Sequence, residues 1–305
     1  MSLPQDYLIE RKNMKYKIQL WKALFFVPLA LLIFVIAAKN SPYFKEDKFI
    51  AKVYIEDVIE EDLEKFKKIE ALAKNKNVAA VIVAINSPGG SVGGSEQLYL
   101  SIKKIRDEKP VVAVMGTVAA SGGYLISLAT DRIFAHASTL TGSIGVVSMS
   151  FEATELAEKL GVKFNSFKSS AVKAGVNSFE KVTPEIRETQ MILINDLYEF
   201  FVEVLVKERE LDYEVAKTLA NGRVYTGRQA LALDLVDGIG GQDEALEWLE
   251  KEEKIDSSLQ IKDVSLEEMS VINRILDSGK KASYNLYKVF INLFAQNNYI
   301  PKSQL

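Results

Sequence analysis

The sequence predicts an α/β domain of repeated βαβ units around a mostly parallel sheet, placed behind one apolar segment of membrane-spanning character. Three observations carry this prediction. Short β-branched runs alternate with amphipathic stretches from Phe49 onward; two glycine-rich turns, SPGGSVGGS and ASGG, each follow an apolar run; and residues 23 to 38, ALFFVPLALLIFVIAA, carry no charge.

The N-terminal segment comes first in the chain. Leu20 and Trp21 extend the uncharged run toward the ~20 residues that a helical span needs, and Pro28 is tolerated in such helices. Arg11, Lys12, Lys15, Lys17 and Lys22 outnumber Asp6 and Glu10 ahead of it, which places that end in the cytoplasm and the rest of the chain across the membrane. A signal peptide cut after Ile36-Ala37-Ala38 is the competing reading; the run exceeds the ~7–15 residues of a signal core, which favours a retained anchor. The expected division is a cytoplasmic segment over 1–22, an anchor over 23–39, a linker over 40–48, the α/β domain over 49–252 and a C-terminal helical extension over 253–305.

Within the domain, Phe49 to Val58 reads as a strand, Glu61 to Lys74 as an amphipathic helix and Val78 to Ile85 as a buried strand. A helix over Glu96 to Asp107, a strand over Val111 to Met115 and a helix entered at Ser121 follow. Pro184 opens a long helix running to about Glu210, and Asp243 to Glu252 forms another. The tail turns apolar and aromatic at Tyr284 to Phe294, the pattern of a helix packed on its own domain or on a partner.

Composition narrows the chemistry. The 305 residues include one histidine and no cysteine, and the net charge is −3. Disulfides, thiolate nucleophiles and histidine or cysteine metal clusters are therefore out of reach, so no metal and no cofactor is expected. No basic footprint marks a nucleic-acid partner. Any catalysis must use hydroxyls, carboxylates and amines.

The two glycine turns fall at the C-terminal ends of successive strands, the edge at which open α/β sheets bind ligands. Ser121 starts a helix, where unpaired N–H groups and the helix dipole favour an oxyanion. A serine there also serves as an ordinary N-cap, and position alone leaves both readings open.

Four motifs, NSPGG at 86–90, MGTVAASGGY at 115–124, LTGSIGV at 140–146 and NGRVYTGRQAL at 221–231, occur together over roughly residues 50 to 245. In order and spacing they resemble the single-domain form of bacterial signal peptide peptidase, a membrane-anchored serine protease of peptidase family S49 in the ClpP/crotonase superfamily. The resemblance implies that Ser121 is the nucleophile, that Lys173 in FKSSAVKAG is the general base, and that Ser143 hydrogen-bonds this lysine. It also implies an oxyanion hole from the main-chain N–H groups of Gly90 or Gly89 and of Gly122. The implied substrates are remnant signal peptides at the bacterial inner membrane, with the catalytic domain on the extracytoplasmic side. Homo-oligomers sharing their active sites between neighbouring chains are implied as well.

The residues support the same pairing. A serine hydroxyl needs a base, and a lysine can supply one when desolvation or a neighbouring cation disfavours its charged form. Lys173 sits among small residues that would bury it readily, whereas Lys168 is expected to be a solvated surface charge. Tyr124 and apolar neighbours are expected to shape a pocket for small or hydrophobic side chains.

Other arrangements compete. Gly89-Gly90-Ser91-Val92-Gly93 fits a G-x-S-x-G elbow, and with Asp131 and His136 it would give a Ser-Asp-His order. Pro88 and the paired glycines suggest a loose loop instead, with the helix starting only near Ser95, and His136 reads as a packed or rim residue. Ser170-Ala171-Val172-Lys173 matches S-x-x-K without its companion motifs. An acyl-CoA enzyme of the crotonase type, or an inactive scaffold, would need neither Ser121 nor Lys173.

Overall fold

Parallel β-strands and covering helices alternate along the chain as the hydrophobic pattern dictates. The computed structural model describes residues 47–264 and, nearer the N-terminus, Met14, Lys17, Trp21, Lys22, Leu24, Phe25 and Phe26. Apart from the last three, the anchor predicted over 23–39 lies outside the described residues, as does the tail from 265. Among the described residues no helix is long and apolar enough to cross a membrane. The remaining description concerns the unit spanning Lys48–Glu267.

Its elements are β1 (Phe49–Ile59), α1 (Leu63–Lys74), β2 (Val78–Gly90), α2 (Val92–Arg106), β3 (Val111–Ala120), α3 (Gly122–Ser127), β4 (Arg132–Ala135), β5 (Leu140–Gly142), α4 (Thr154–Lys159), α5 (Pro184–Arg209), α6 (Tyr213–Leu219), β6 (Val224–Thr226), α7 (Gly227–Ala232), β7 (Gly238–Ile239), α8 (Gln242–Lys251) and β8 (Ile261–Asp263). The Asp62 carboxylate accepts the Lys65 N–H at 2.9 Å to start α1, which then buries Phe66, Ile69 and Leu72. Thr183 caps α5 in the same way, with Pro184 in the first turn where a missing N–H costs nothing.

One sheet runs β6-β5-β3-β2-β1-β8, and β4 with β7 branches from β3. All its pairings are parallel except β5 with β6. Strand alternation splits the core. Val53, Ile55, Val83, Ile85 and Met115 face Ile69, Ile102, Leu125 and Leu205, while Ile50, Ile82, Val112 and Phe134 face Ala245 and Leu249 of α8.

The feature that builds the site is a change of partner along β3. Val112 to Met115 pair with β4, but Val118 to Ala120 pair with β5. The changeover falls at Gly116, whose carbonyl accepts the Thr139 hydroxyl at 2.7 Å.

Four elements differ from the sequence reading. β2 and β3 run on to Gly90 and Ala120, because after an irregularity at Ile85/Ser87 the strands pair again at Ser87 and Ala119, and Asn86 Oδ1 accepts the Val118 N–H at 3.2 Å. α2 begins at Val92 rather than near Ser95. Ser91 Oγ caps it by accepting the Gly94 N–H at 3.2 Å, and Gly94 fits where a Cβ would lie 2.9 Å from the Glu60 carbonyl. Finally, β8 lies inside the range read as a helical extension. It pairs with β1, and Leu259 and Ile261 pack on the Ile50 face of the sheet.

Candidate active site

Ser121 follows the last residue of β3 and precedes the first of α3. Its backbone is held at φ 52°, ψ −120°, a positive-φ conformation outside the regions open to a non-glycine residue, of the kind that costs roughly 1–3 kcal/mol. Both neighbours enforce it. The Ser121 N–H donates to the Gly142 carbonyl at 2.8 Å, and its own carbonyl accepts the Leu125 N–H at 2.9 Å to begin the helix. The side chain makes no capping hydrogen bond, so the N-cap reading is set aside.

Ser91 is the contrast. It sits at an unstrained φ −64°, ψ 143° with its hydroxyl engaged as a helix cap, so the G-x-S-x-G match is a helix start. Asp131 accepts the Val111 N–H at 2.8 Å at the opposite end of β3, about 30 Å from Ser121 by the ~3.3 Å rise per strand residue. His136 lies past β4 beside Gly241, where an added Cβ would stand 3.1 Å from the His136 Cε1. Ser91, Asp131 and His136 therefore form no triad.

The glycine turns press against Ser121. A Cβ on Gly89, at φ 100°, would lie 2.7 Å from the Gly122 nitrogen and 2.9 Å from the Ser121 Cβ; one on Gly122 would lie 2.1 Å from Ser95 Oγ. Only glycine admits these approaches. The Gly89 N–H donates to Ser87 Oγ at 3.1 Å, and that hydroxyl donates to the Asp57 carbonyl at 2.5 Å. Gly89 thus contributes shape, and its amide is engaged within the turn.

Ser121, Gly90 and Gly122 line a small cleft of about 30 Å³. Val92, Leu125 and Val146 form apolar walls, joined by Leu197, Phe200 and Phe201 of α5. The sequence reading missed these three, whose helical spacing looks like ordinary core. It also misplaced Tyr124, which is fully buried and donates its hydroxyl to the Leu235 carbonyl at 2.9 Å. Burial raises the Tyr124 pKa, as befits a core phenol.

Ser143 follows β5 as Ser121 follows β3, with φ 50° and its N–H donating to the Arg223 carbonyl at 2.7 Å. Lys173 lies in a turn whose N–H donates to the Ser170 carbonyl at 3.3 Å. Its side chain is exposed and is not among the residues lining the cleft, so the expected burial among small residues is absent in the single chain. Lys168 is likewise corrected. Only 18% exposed, it pairs with Glu180 instead of standing free in solvent.

A family model described as peptidase family S49 matches residues 103–256, just over half of the chain. The chain belongs to this family. A Clp protease model also matches residues 44–148 of this S49 chain. A provisionally named protease of Synechocystis sp. is 38% identical over 175 residues, covering 57% of this chain and 63% of that protein. A provisionally named signal peptide peptidase SppA of Enterococcus faecium is 38% identical over 194 residues, 63% of this chain and 56% of that protein. The match thus spans less than two thirds of either relative's length. A provisionally named protease of Methanocaldococcus jannaschii is 30% identical over 253 residues, 78% of this chain and 81% of its counterpart.

Proposed function

We propose that this S49 chain is a membrane-anchored serine endopeptidase that cleaves remnant signal peptides and other hydrophobic peptides, with Ser121 as nucleophile and Lys173 as general base. The carrying observation is Ser121 itself: a serine held in a strained turn, free of capping duty, facing an apolar cleft between Gly90 and Gly122. Lys168 is unsuited to the base role, since its ammonium is committed to Glu180 and the Ala174 carbonyl.

In the mechanism, neutral Lys173, held by Ser143, takes the Ser121 proton as Oγ attacks the scissile carbonyl. The Gly90 and Gly122 N–H groups receive the developing oxyanion. The intermediate collapses, Lys173 returns the proton to the leaving amine, and an acyl-enzyme remains on Ser121. Water then attacks with Lys173 again as base, releasing the acid and restoring the hydroxyl. The apolar cleft receives a small hydrophobic side chain beside the scissile bond.

An exposed lysine is a poor base, so a covering surface is part of the proposal. Phe167 is 98% exposed and Met149 86%, and Val147, Phe151 and Ile192 are also open, large apolar side chains available to a partner surface. We assign this surface to neighbouring copies in a homo-oligomer, which would desolvate Lys173 and bring it to a serine. The uncharged N-terminal run supports a single-pass inner-membrane anchor, with the catalytic domain outside the cytoplasm.

The test is the pH dependence of kcat/KM on a fluorogenic peptide for wild type, Ser121→Ala, Lys173→Ala and His136→Ala. The dyad predicts that kcat/KM keeps rising above the ~6.5 of an ordinary histidine, that the first two variants are dead, and that the third is active. An inactive His136→Ala beside an active Lys173→Ala would replace the dyad with a Ser-His hydrolase. Intact oligomers without activity in any form would make the chain a scaffold.

A further inference from the structure

The turn that carries Lys173 is exposed, yet a single carboxylate gathers several of its hydrogen bonds. The Glu180 carboxylate accepts hydrogen bonds from Lys168 Nζ, Ser166 Oγ and, at 2.8 Å, Asn177 Nδ2. Two of these donors have a second acceptor in common. Asn177 Nδ2 reaches the Ala174 carbonyl at 3.0 Å and Lys168 Nζ reaches it at 3.4 Å. Ala174 is the residue after Lys173, and its φ of 50° is one that only a specific restraint maintains.

We propose that Glu180 is a positioning residue for Lys173, acting through a clasp in which Lys168 and Asn177 grip the Ala174 carbonyl; this rests on Lys173 being the base. The orientation of the clasp is determined. Asn177 Oδ1 accepts the Phe179 N–H at 3.0 Å, which turns its Nδ2 toward Glu180 and Ala174. The loop is seated at Gly175, where a Cβ would lie 2.7 Å from Ile186 Cγ1 in the first turn of α5. The Glu180 end therefore sets the direction of the turn, and the Gly175 end sets its height on the helix.

Charge is what makes glutamate necessary. Hydrogen bonds from Lys168, Ser166 and Asn177 lower its pKa to about 2, so the carboxylate stays ionised wherever the enzyme works. A glutamine keeps the shape but can offer only one oxygen, and its amide hydrogens would face the donors of Lys168 or Asn177. The Ala174 carbonyl then loses its oriented partners and Lys173 samples many directions.

The full chain carrying Glu180→Gln, Lys168→Met, both together, or Asn177→Ala should be assayed for kcat, KM, melting temperature and fluorophosphonate labelling of Ser121. The clasp predicts a kcat loss of about 10-fold to 100-fold for Glu180→Gln and Lys168→Met at nearly constant KM and unchanged melting temperature, with labelling slowed in parallel. The double variant should be no worse than the poorer single, because both break one device. Asn177→Ala should lose less. Wild-type kcat in Glu180→Gln or in Asn177→Ala with Lys173→Ala dead would overturn the clasp, as would additive losses in the double variant. A fully active Lys173→Ala would instead sink the base assignment itself, and the two failures are told apart by that control.

Discussion

Ser121 and Ser143 leave neighbouring parallel strands side by side, each one residue beyond the paired Ala120 and Gly142 and each with a left-handed φ, 52° and 50°. Adjacent strands stand ~4.8 Å apart, so the two hydroxyl-bearing residues are held at one level of the sheet. Strain kept at both positions has a measurable counterpart. Ser121→Gly should abolish activity and raise the melting temperature by about 2–4 °C, the shift expected for roughly 1 kcal/mol in a domain of this size. Ser143→Gly should stabilise similarly and lower kcat about 10-fold to 100-fold. Calorimetry beside steady-state kinetics checks both, and a loss of stability in either variant would mean that the serine conformations are not strained.

Gly89 and Gly161 separate conformational cost from steric cost. Both have positive φ, but a Cβ on Gly89 runs into the Gly122 nitrogen at 2.7 Å, whereas one on Gly161 meets nothing within 4 Å. Gly161→Ala should cost about 1 kcal/mol and leave kcat/KM unchanged. Gly89→Ala should displace the Gly122 amide and remove activity, about 100-fold or more as for a lost oxyanion donor. Equal activity in the two variants would show that the P-G-G turn does not shape the site.

Much of this was open to sequence reasoning because it is local. The β-branched runs mark β1, β2 and β3, and the paired glycines after Ser121 mark a close backbone approach. What stayed hidden depends on distant pairing. The change of partner at Gly116 needs β4 and β5, which are too short to carry periodicity, and it alone brings Ser143 level with Ser121. Phe200 and Phe201 lie far along the chain from Ser121 and carry no mark that separates a cleft wall from core. Lys168 meets its carboxylate twelve residues later, across a loop with no regular pattern to read.

Phe200 and Leu197 line the cleft from α5, and their size sets what enters. Phe200→Ala should widen it and shift preference from small toward larger apolar side chains next to the scissile bond. A swing of roughly 10-fold to 200-fold in the ratio of kcat/KM values is the range that hydrophobic pocket contacts give. A peptide library profiled against both forms reads this directly; an unchanged profile would place the specificity pocket elsewhere.

Glu208 ties α5, the helix that supplies Leu197, Phe200 and Phe201 to the cleft, to α2. Only 6% of its side chain is exposed, and it accepts from Arg106 at 2.8 Å, Tyr99 at 2.6 Å and Lys103. Burial works to raise its pKa, but the hydrogen bonds from Lys103, Tyr99 and Arg106 prevail and lower it to about 2. A carboxylate depressed in the folded state binds fewer protons there than when unfolded, so its stabilisation is present above its ordinary value and is lost as pH falls toward 2. The shift corresponds to a contribution on the order of 3 kcal/mol near neutral pH. Glu208→Gln should therefore melt roughly 10 °C lower than wild type at pH 7. The gap should close as pH drops from about 4.5 to about 2, where the wild-type carboxylate becomes protonated. Melting curves across that window decide it: a gap that stays constant would mean that Glu208 contributes packing alone, and that the charge network does not hold α5 in place over the cleft.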